Sequence, residues 1–209
     1  MDFSRFPITL VLIAINCIVS FAAFSNRNLL GKLIFHPPAI AQHNQWYRFI
    51  TSGFIHQDGN HLLFNMLTLF FFGQTLEPGF NDLGLGPVLY LTFYLLAIIA
   101  SELPTYFKHK NNSNYYSLGA SGAVSAVVFA LVLFKPWDMI YLQFFIPIPF
   151  ILYAVGYLAY SAYMEKKGND NIGHSAHFWG AVFGIVFMLI TYPKAFGIFI
   201  REITHPPFF

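Results

Sequence analysis

The chain has 209 residues, of which 56% are apolar, 20% aromatic and only 10% charged, with a net charge of +2. So few charges cannot coat a water-soluble domain, and so much hydrophobicity excludes intrinsic disorder. The 11 Lys and Arg are scattered, which leaves no nucleic-acid surface, and the single Cys17 excludes an internal disulfide framework or a cysteine-rich metal site.

The composition predicts an all-α, polytopic membrane protein, one domain over residues 1–209 set in a lipid bilayer. A transmembrane helix needs about 20 mostly apolar residues. Six segments qualify: roughly Pro7 to Phe24, His61 to Leu76, Gly86 to Leu103, Ser117 to Phe134, Phe144 to Met164 and His174 to Tyr192. The first follows Arg5, but its apolar run is long and no small-x-small cleavage site follows, so it reads as a retained span. The loop of about 35 residues after it carries Phe35, Trp46, Tyr47, Phe49, Ile50 and Phe54 among His43, Arg48 and His56. That mixture suits a membrane interface. Glu77-Pro78-Gly79 is expected to end the second span, and Lys135-Pro136-Trp137-Asp138 the fourth. Pro147 and Pro149 are expected to mark the start of the fifth, and the tail from Pro193 reads as a surface end.

Strongly polar side chains inside spans are costly and point to function. Four stand out: His61 and Asn65 in span 2, Ser121 in span 4 and His177 in span 6. Even-numbered spans cross in one direction, and all four residues fall in the first turn or two. They are therefore expected at similar depth on one side. His61 and Asn65 are four apart and share a helix face; a polar clamp between helices is the plainer reading. Ser121 sits in Gly119-Ala120-Ser121-Gly122, where small residues suit packing but also let a substrate approach closely. Free N–H groups at a helix start would lie nearby. Gly180 and Gly184 share the face of His177, so the face shaped for close contact carries the imidazole. Beside a serine at equal depth, that imidazole is a candidate general base.

Other chemistries fit less well. There is no H-E-x-x-H; His174, His177 and His61 could share a metal, but no carboxylate or cysteine joins them. Asp58, Asp82, Asp138 and Asp170 lie in loops or at segment ends, which leaves no membrane-embedded aspartate pair. Lys135 is 14 residues past Ser121, about 21 Å along a helix. Asp58 is the one same-side acid able to complete a triad. A Ser–His dyad remains.

Trp46-Tyr47-Arg48, His61-x3-Asn65 with Gly73 and Glu77 downstream, Gly119-Ala120-Ser121-Gly122 and Ala176-His177-x2-Gly180-x3-Gly184 resemble the rhomboid intramembrane serine proteases in order and spacing. The resemblance covers essentially the whole chain after the first span. It implies a six-helix core, a Ser121–His177 dyad, an oxyanion site of His61 and Asn65, and a first loop half-buried in one leaflet. It also implies transmembrane protein substrates cut near the ends of their spans, and no metal or cofactor. Substrates are expected to pass between spans 2 and 5, where Phe150, Tyr153, Tyr157 and Tyr160 could plug the gap. Trimming Phe150, Tyr153 or Tyr157 is then expected to raise cleavage of transmembrane substrates.

Two features sit apart from the family pattern. Some members carry a tyrosine four residues after the nucleophile, stacked on the dyad histidine; here Ser125 stands there. His177 then needs another support, such as an aromatic of span 6 or of the fifth loop. The family also implies a cytoplasmic N-terminus and an active site open to the outside, in a bacterial cytoplasmic membrane. That orientation places four basic residues inside (Arg5, Lys135, Lys194, Arg201) and seven outside (Arg27, Lys32, Arg48, Lys108, Lys110, Lys166, Lys167), against the positive-inside rule. The rival class is a non-enzymatic membrane protein, either a rhomboid-like binder or a transporter. A transporter would show internal repeats and broken helices, with polar groups along a pathway rather than at one face.

Overall fold

A computed structural model describes residues 2–142, 146–167 and 173–206. The predicted start of span 5 at Phe144 and the loop residue Asp170 lie outside the described residues. Helix α1 runs Pro7–Ser25. Pro7 suits a first helical position because it has no N–H to satisfy. The next two N–H groups, of Ile8 and Thr9, donate to the two carboxylate oxygens of Glu77 at 2.9 and 2.7 Å. Glu77 is fully buried and caps α1 from a helix far along the chain.

The first loop folds into three short helices, α2 Arg27–Leu33, α3 Pro37–His43 and α4 Arg48–Thr51, then a 3-10 turn over Ser52–Phe54. Arg48 is buried among them. Its Nη1 donates to the carbonyls of Gly31 and Ile34 at 2.9 and 2.6 Å, and its Nε to Gln45 Oε1 at 2.6 Å. One guanidinium thus ties three turns together, which removes Arg48 from the free charges that orient the chain. Phe35, Ile40 and Phe49 close a small apolar cluster with Tyr106. Trp46 and Tyr47 stay exposed, as the interfacial reading expects.

Helices α5 (Gly59–Asp82) and α6 (Gly86–His109) follow. Then come α7 (Ser121–Val132), an antiparallel hairpin of β1 (Met139–Leu142) and β2 (Ile146–Pro149), α8 (Phe150–Lys167), α9 (His174–Thr191) and α10 (Lys194–Thr204). The architecture is an all-α membrane bundle. By length and composition α1, α6 and α9 can cross a bilayer. Helix α7 is apolar but has only 12 residues, about 18 Å of rise against a hydrocarbon core of about 30 Å. Helices α5 and α8 have the length but are more polar. Of the six predicted spans, three are therefore supported in this way.

Several boundaries differ from the sequence reading. Helix α5 does not stop at Glu77-Pro78-Gly79 but continues to Asp82. Pro78 removes one helical hydrogen bond; the Glu77 clasp and the Phe80 ring, packed on Tyr90 and Phe93 at 5.5 and 5.7 Å, hold the last turn. Helix α6 likewise passes Pro104. Helix α7 starts at Ser121, not Ser117, because Ser117 pairs with Phe35 in a β-bridge. Gly119 then turns the chain at φ 123°, a conformation other residues rarely adopt. The tail forms α10, held by Trp137 Nε1 donating to the Glu202 carbonyl at 3.0 Å.

Helix α7 is the centre, with every residue from Gly122 to Leu133 buried. A helix apolar on all sides belongs in a core. Its seam with α9 is backbone against backbone: a Cβ on Gly180 would lie 2.1 Å from the Gly122 carbonyl oxygen, and one on Gly184 2.3 Å from that of Ala126. Arg5 lies 3.8 Å from Asp82, and Lys135 lines the same recess. The start of α1 and the ends of α5 and α7 thus share one end of the bundle. The starts of α5, α7 and α9 share the other.

Candidate active site

At that second end lies a hollow of about 940 Å³, a size typical of ligand sites. His61, Asn65, Ser121 and His177 all line it, together with Ser125 and Tyr157. The four residues picked from the sequence are thus brought together. Ser121 is the first residue of α7, so its N–H has no helical partner one turn earlier. Gly122 beside it touches Gly180, one turn after His177, which fixes the serine turn against the histidine turn. Ser121 and His177 are half-buried and face the hollow without a hydrogen bond between them. Catalytic hydrogen bonds are often long in the absence of substrate and tighten when it binds.

His61 lies over the turn that precedes the serine. A Cβ on Gly119 would be 3.0 Å from His61 Nε2, so only glycine leaves room there. The Gln57 N–H approaches His61 Nδ1 at 3.5 Å, which leaves the N–H on Nε2, facing the turn. Asn65 is buried, and its Nδ2 donates one hydrogen to the His61 carbonyl at 2.9 Å. Its second amide hydrogen is free of that bond. Asp58 caps α5 by accepting the His61 backbone N–H at 2.8 Å; it completes no triad with His177. Among the described residues no three His, Cys, Asp or Glu side chains form a metal-binding group.

Two buried polar residues at the site escaped the sequence reading. His56, taken as one histidine of an interfacial loop, is buried behind the turn that leads into Ser121. Its Nε2 accepts the Ala120 N–H at 3.4 Å, and its Nδ1 pairs at 2.9 Å with Ser20 Oγ, which in turn donates to the Phe54 carbonyl at 3.2 Å. That chain requires a neutral imidazole with its proton on Nδ1. Burial, and secondarily the neighbouring His61, push His56 down to about 3 from the ordinary 6.5. Glu102, on α6, lines the hollow and accepts a hydrogen bond from Ser117 Oγ at 2.5 Å. A carboxyl inside an apolar segment was the available signal.

The His56 arrangement makes stability pH-dependent. The unfolded chain binds the proton more tightly than the folded one, so acid favours unfolding. The contribution is complete above about pH 6.5 and is lost as pH falls toward about 3, at up to about 1.4 kcal/mol per unit. The thermal midpoint in detergent should drop between pH 7.5 and 4.5, and His56→Gln, which keeps an acceptor and a donor, should flatten that drop. An equal drop in both proteins would rule out His56 as the cause.

The fold and this hollow define a polytopic helical membrane protein with a serine and a histidine lining one cavity. The chain belongs to the rhomboid family: residues 43–194 match the family described as the Rhomboid domain. An Arabidopsis thaliana relative, RHOMBOID-like protein 12, mitochondrial, is 31% identical over 150 residues, covering 65% of this chain and 43% of its own length. Rhomboid-like protein 11, chloroplastic, from the same plant is 31% identical over 161 residues, covering 72% and 55%. A Bacillus subtilis (strain 168) protein, YdcA, provisionally named a rhomboid protease, is 28% identical over 150 residues, covering 72% and 69%. The chain spans about half the length of the two plant relatives. Family and helices make this an integral membrane protein. The plant relatives' names place them in organelles, so they lend no support to the expected bacterial cytoplasmic membrane.

Proposed function

We propose that this chain is a serine endopeptidase that cuts other membrane proteins within the bilayer. Ser121 Oγ attacks the scissile carbonyl while His177 takes its proton, then returns that proton to the leaving amine. The carbonyl oxygen becomes negative at attack. His61 Nε2–H, the Asn65 amide and the Ser121 N–H are the donors placed to receive it. Water reaching the acyl-enzyme through the hollow attacks the ester carbonyl and gives a proton to His177, which passes it to Ser121 Oγ as the ester bond breaks and the second product leaves. The observation that carries this reading is the Gly122–Gly180 contact, which sets the two turns side by side while His61 covers Gly119.

A route for the substrate adjoins the hollow. An apolar groove of about 510 Å³ runs between α5, α8 and the hairpin, and shares Phe64, Thr68, Val128 and Tyr153 with it. Phe72 of α5 and Phe150 of α8 meet across it with ring centroids 5.6 Å apart. Parting that pair opens a sideways path, in keeping with the expected passage between spans 2 and 5.

Covalent labelling tests the reading. A fluorophosphonate should add to the wild-type protein at Ser121, seen by peptide mass, and not to Ser121→Ala. EDTA should leave labelling unchanged. A folded wild-type protein that takes no label would be a membrane binder rather than an enzyme, and strong inhibition by EDTA would restore the metal reading.

A further inference from the structure

We infer that Tyr157 of α8 is the positioning residue for His177, so that the helix that admits substrate also holds the catalytic base. This rests on the proteolytic reading above and adds to it a coupling between access and reactivity.

Ser125 lies one turn after Ser121 on α7. Its hydroxyl is buried and pairs with the Tyr157 hydroxyl at 2.9 Å. That bond fixes the tyrosine ring, which lies over His177 with a centroid separation of 6.1 Å and an interplanar angle of 27°. Phe129, one further turn along α7, supports the same ring at 5.5 Å, and Tyr153 does so at 5.6 Å. The small side chain at 125 thus does not leave His177 bare. It makes room for a ring delivered from α8 and supplies the hydroxyl that orients it. The sequence reading looked for that support in span 6 or the fifth loop; Tyr157 supplies it from span 5, and His174 of span 6 meets the His177 ring edge-on at 6.1 Å.

The source of the ring matters because the two sides of the site are built differently. Helices α7 and α9 touch backbone to backbone, so Ser121 and His177 are carried on one rigid pair. Helix α8 is anchored at its start by backbone hydrogen bonds, Phe150 N–H to the Asp138 carbonyl at 2.9 Å and Ile151 N–H to the Pro136 carbonyl at 2.8 Å, and along its length by side-chain contacts such as Ser125–Tyr157, Phe72–Phe150 and the Lys108–Glu165 ion pair. Its Gly156 has open space where a Cβ would be, and Leu152, Val155 and Tyr160 are exposed. Displacing α8 to admit a substrate segment withdraws Tyr157 from His177 and releases Ser125. The imidazole regains its Tyr157 support when α8 seats again, with substrate inside. This reverses one expectation from the sequence: trimming Phe150 or Tyr153 relieves a plug, whereas trimming Tyr157 removes a support.

The test uses the full chain in detergent, a fluorophosphonate and a short soluble peptide, both small enough to reach Ser121 without parting α5 from α8. Tyr157→Leu keeps apolar volume and removes the ring. Its labelling rate and its kcat on the peptide should fall about tenfold with KM unchanged, part of the roughly 10²-fold that a 1 Å misplacement costs. Tyr157→Phe, which keeps the ring and loses its bond to Ser125, should recover part of the loss, and the exchange variant Ser125→Tyr with Tyr157→Ser, which supplies the ring from α7, most of it. Phe150→Ala should raise cleavage of transmembrane substrates relative to cleavage of the short peptide. A Tyr157→Leu protein that labels Ser121 at the wild-type rate overturns the coupling and leaves the proteolytic reading standing. A wild-type protein that takes no label overturns both.

Discussion

Cleavage of a transmembrane test substrate should disappear in Ser121→Ala and equally in His177→Ala, while the melting midpoint of each stays near that of the wild type. Neither side chain is part of the α7–α9 seam, which is made by Gly122, Ala126, Gly180 and Gly184, so neither change should disturb the bundle. The losses should not add in the double variant, because nucleophile and base act as one unit. Without the base, Ser121 keeps its proton; without the nucleophile, His177 has no acyl acceptor to activate. The assay is release of a fluorescent fragment in detergent. Substantial turnover in Ser121→Ala would sink the assignment of the nucleophile.

Asn65→Ala should lower turnover by about 10² to 10³, the usual cost of losing one oxyanion donor, with KM little changed. His61→Ala should cost as much or more, since it also vacates the space over Gly119, where Nε2 would lie 3.0 Å from a Cβ. The effect belongs on kcat because the donors meet full negative charge only after attack. Asn65→Asp is a useful companion: its size is kept and its sign opposes the oxyanion, so it should be at least as damaging as the alanine. If both alanine variants turned over normally, the pair would be the polar clamp considered at the outset, with Asn65 tied to the His61 carbonyl for structure alone.

What the sequence made legible was local. Starts at Pro7, Gly86 and His174 fall where the helices begin, because each carries its signal within a turn. The four polar residues line one hollow because the starts of α5, α7 and α9 share one end of the bundle. What it hid depended on distant partners. The start of α7 is set by Ser117 pairing with Phe35, and Pro78 stays helical because Glu77 binds Ile8 and Thr9 from 69 and 68 residues away. His56 looked like a loop histidine because Ser20 and Ala120 are 36 and 64 residues from it. The departure at Ser125 was visible, but its answer, Tyr157, lies 32 residues on and had been read as a plug.

The glycine seam also bears on how this chain can change over generations. A methyl group at 180 or 184 would need the two backbones to separate by more than an ångström, and the displacement would pass to Ser121 and His177. Those positions are closed to drift because the same close approach packs the core and aligns the two turns. Lipid-facing residues such as Leu152, Val155 and Ile190 meet nothing so exacting. Variation should therefore accumulate on the exposed faces, that of α8 included, and spare the seam and the Ser125–Tyr157 pair.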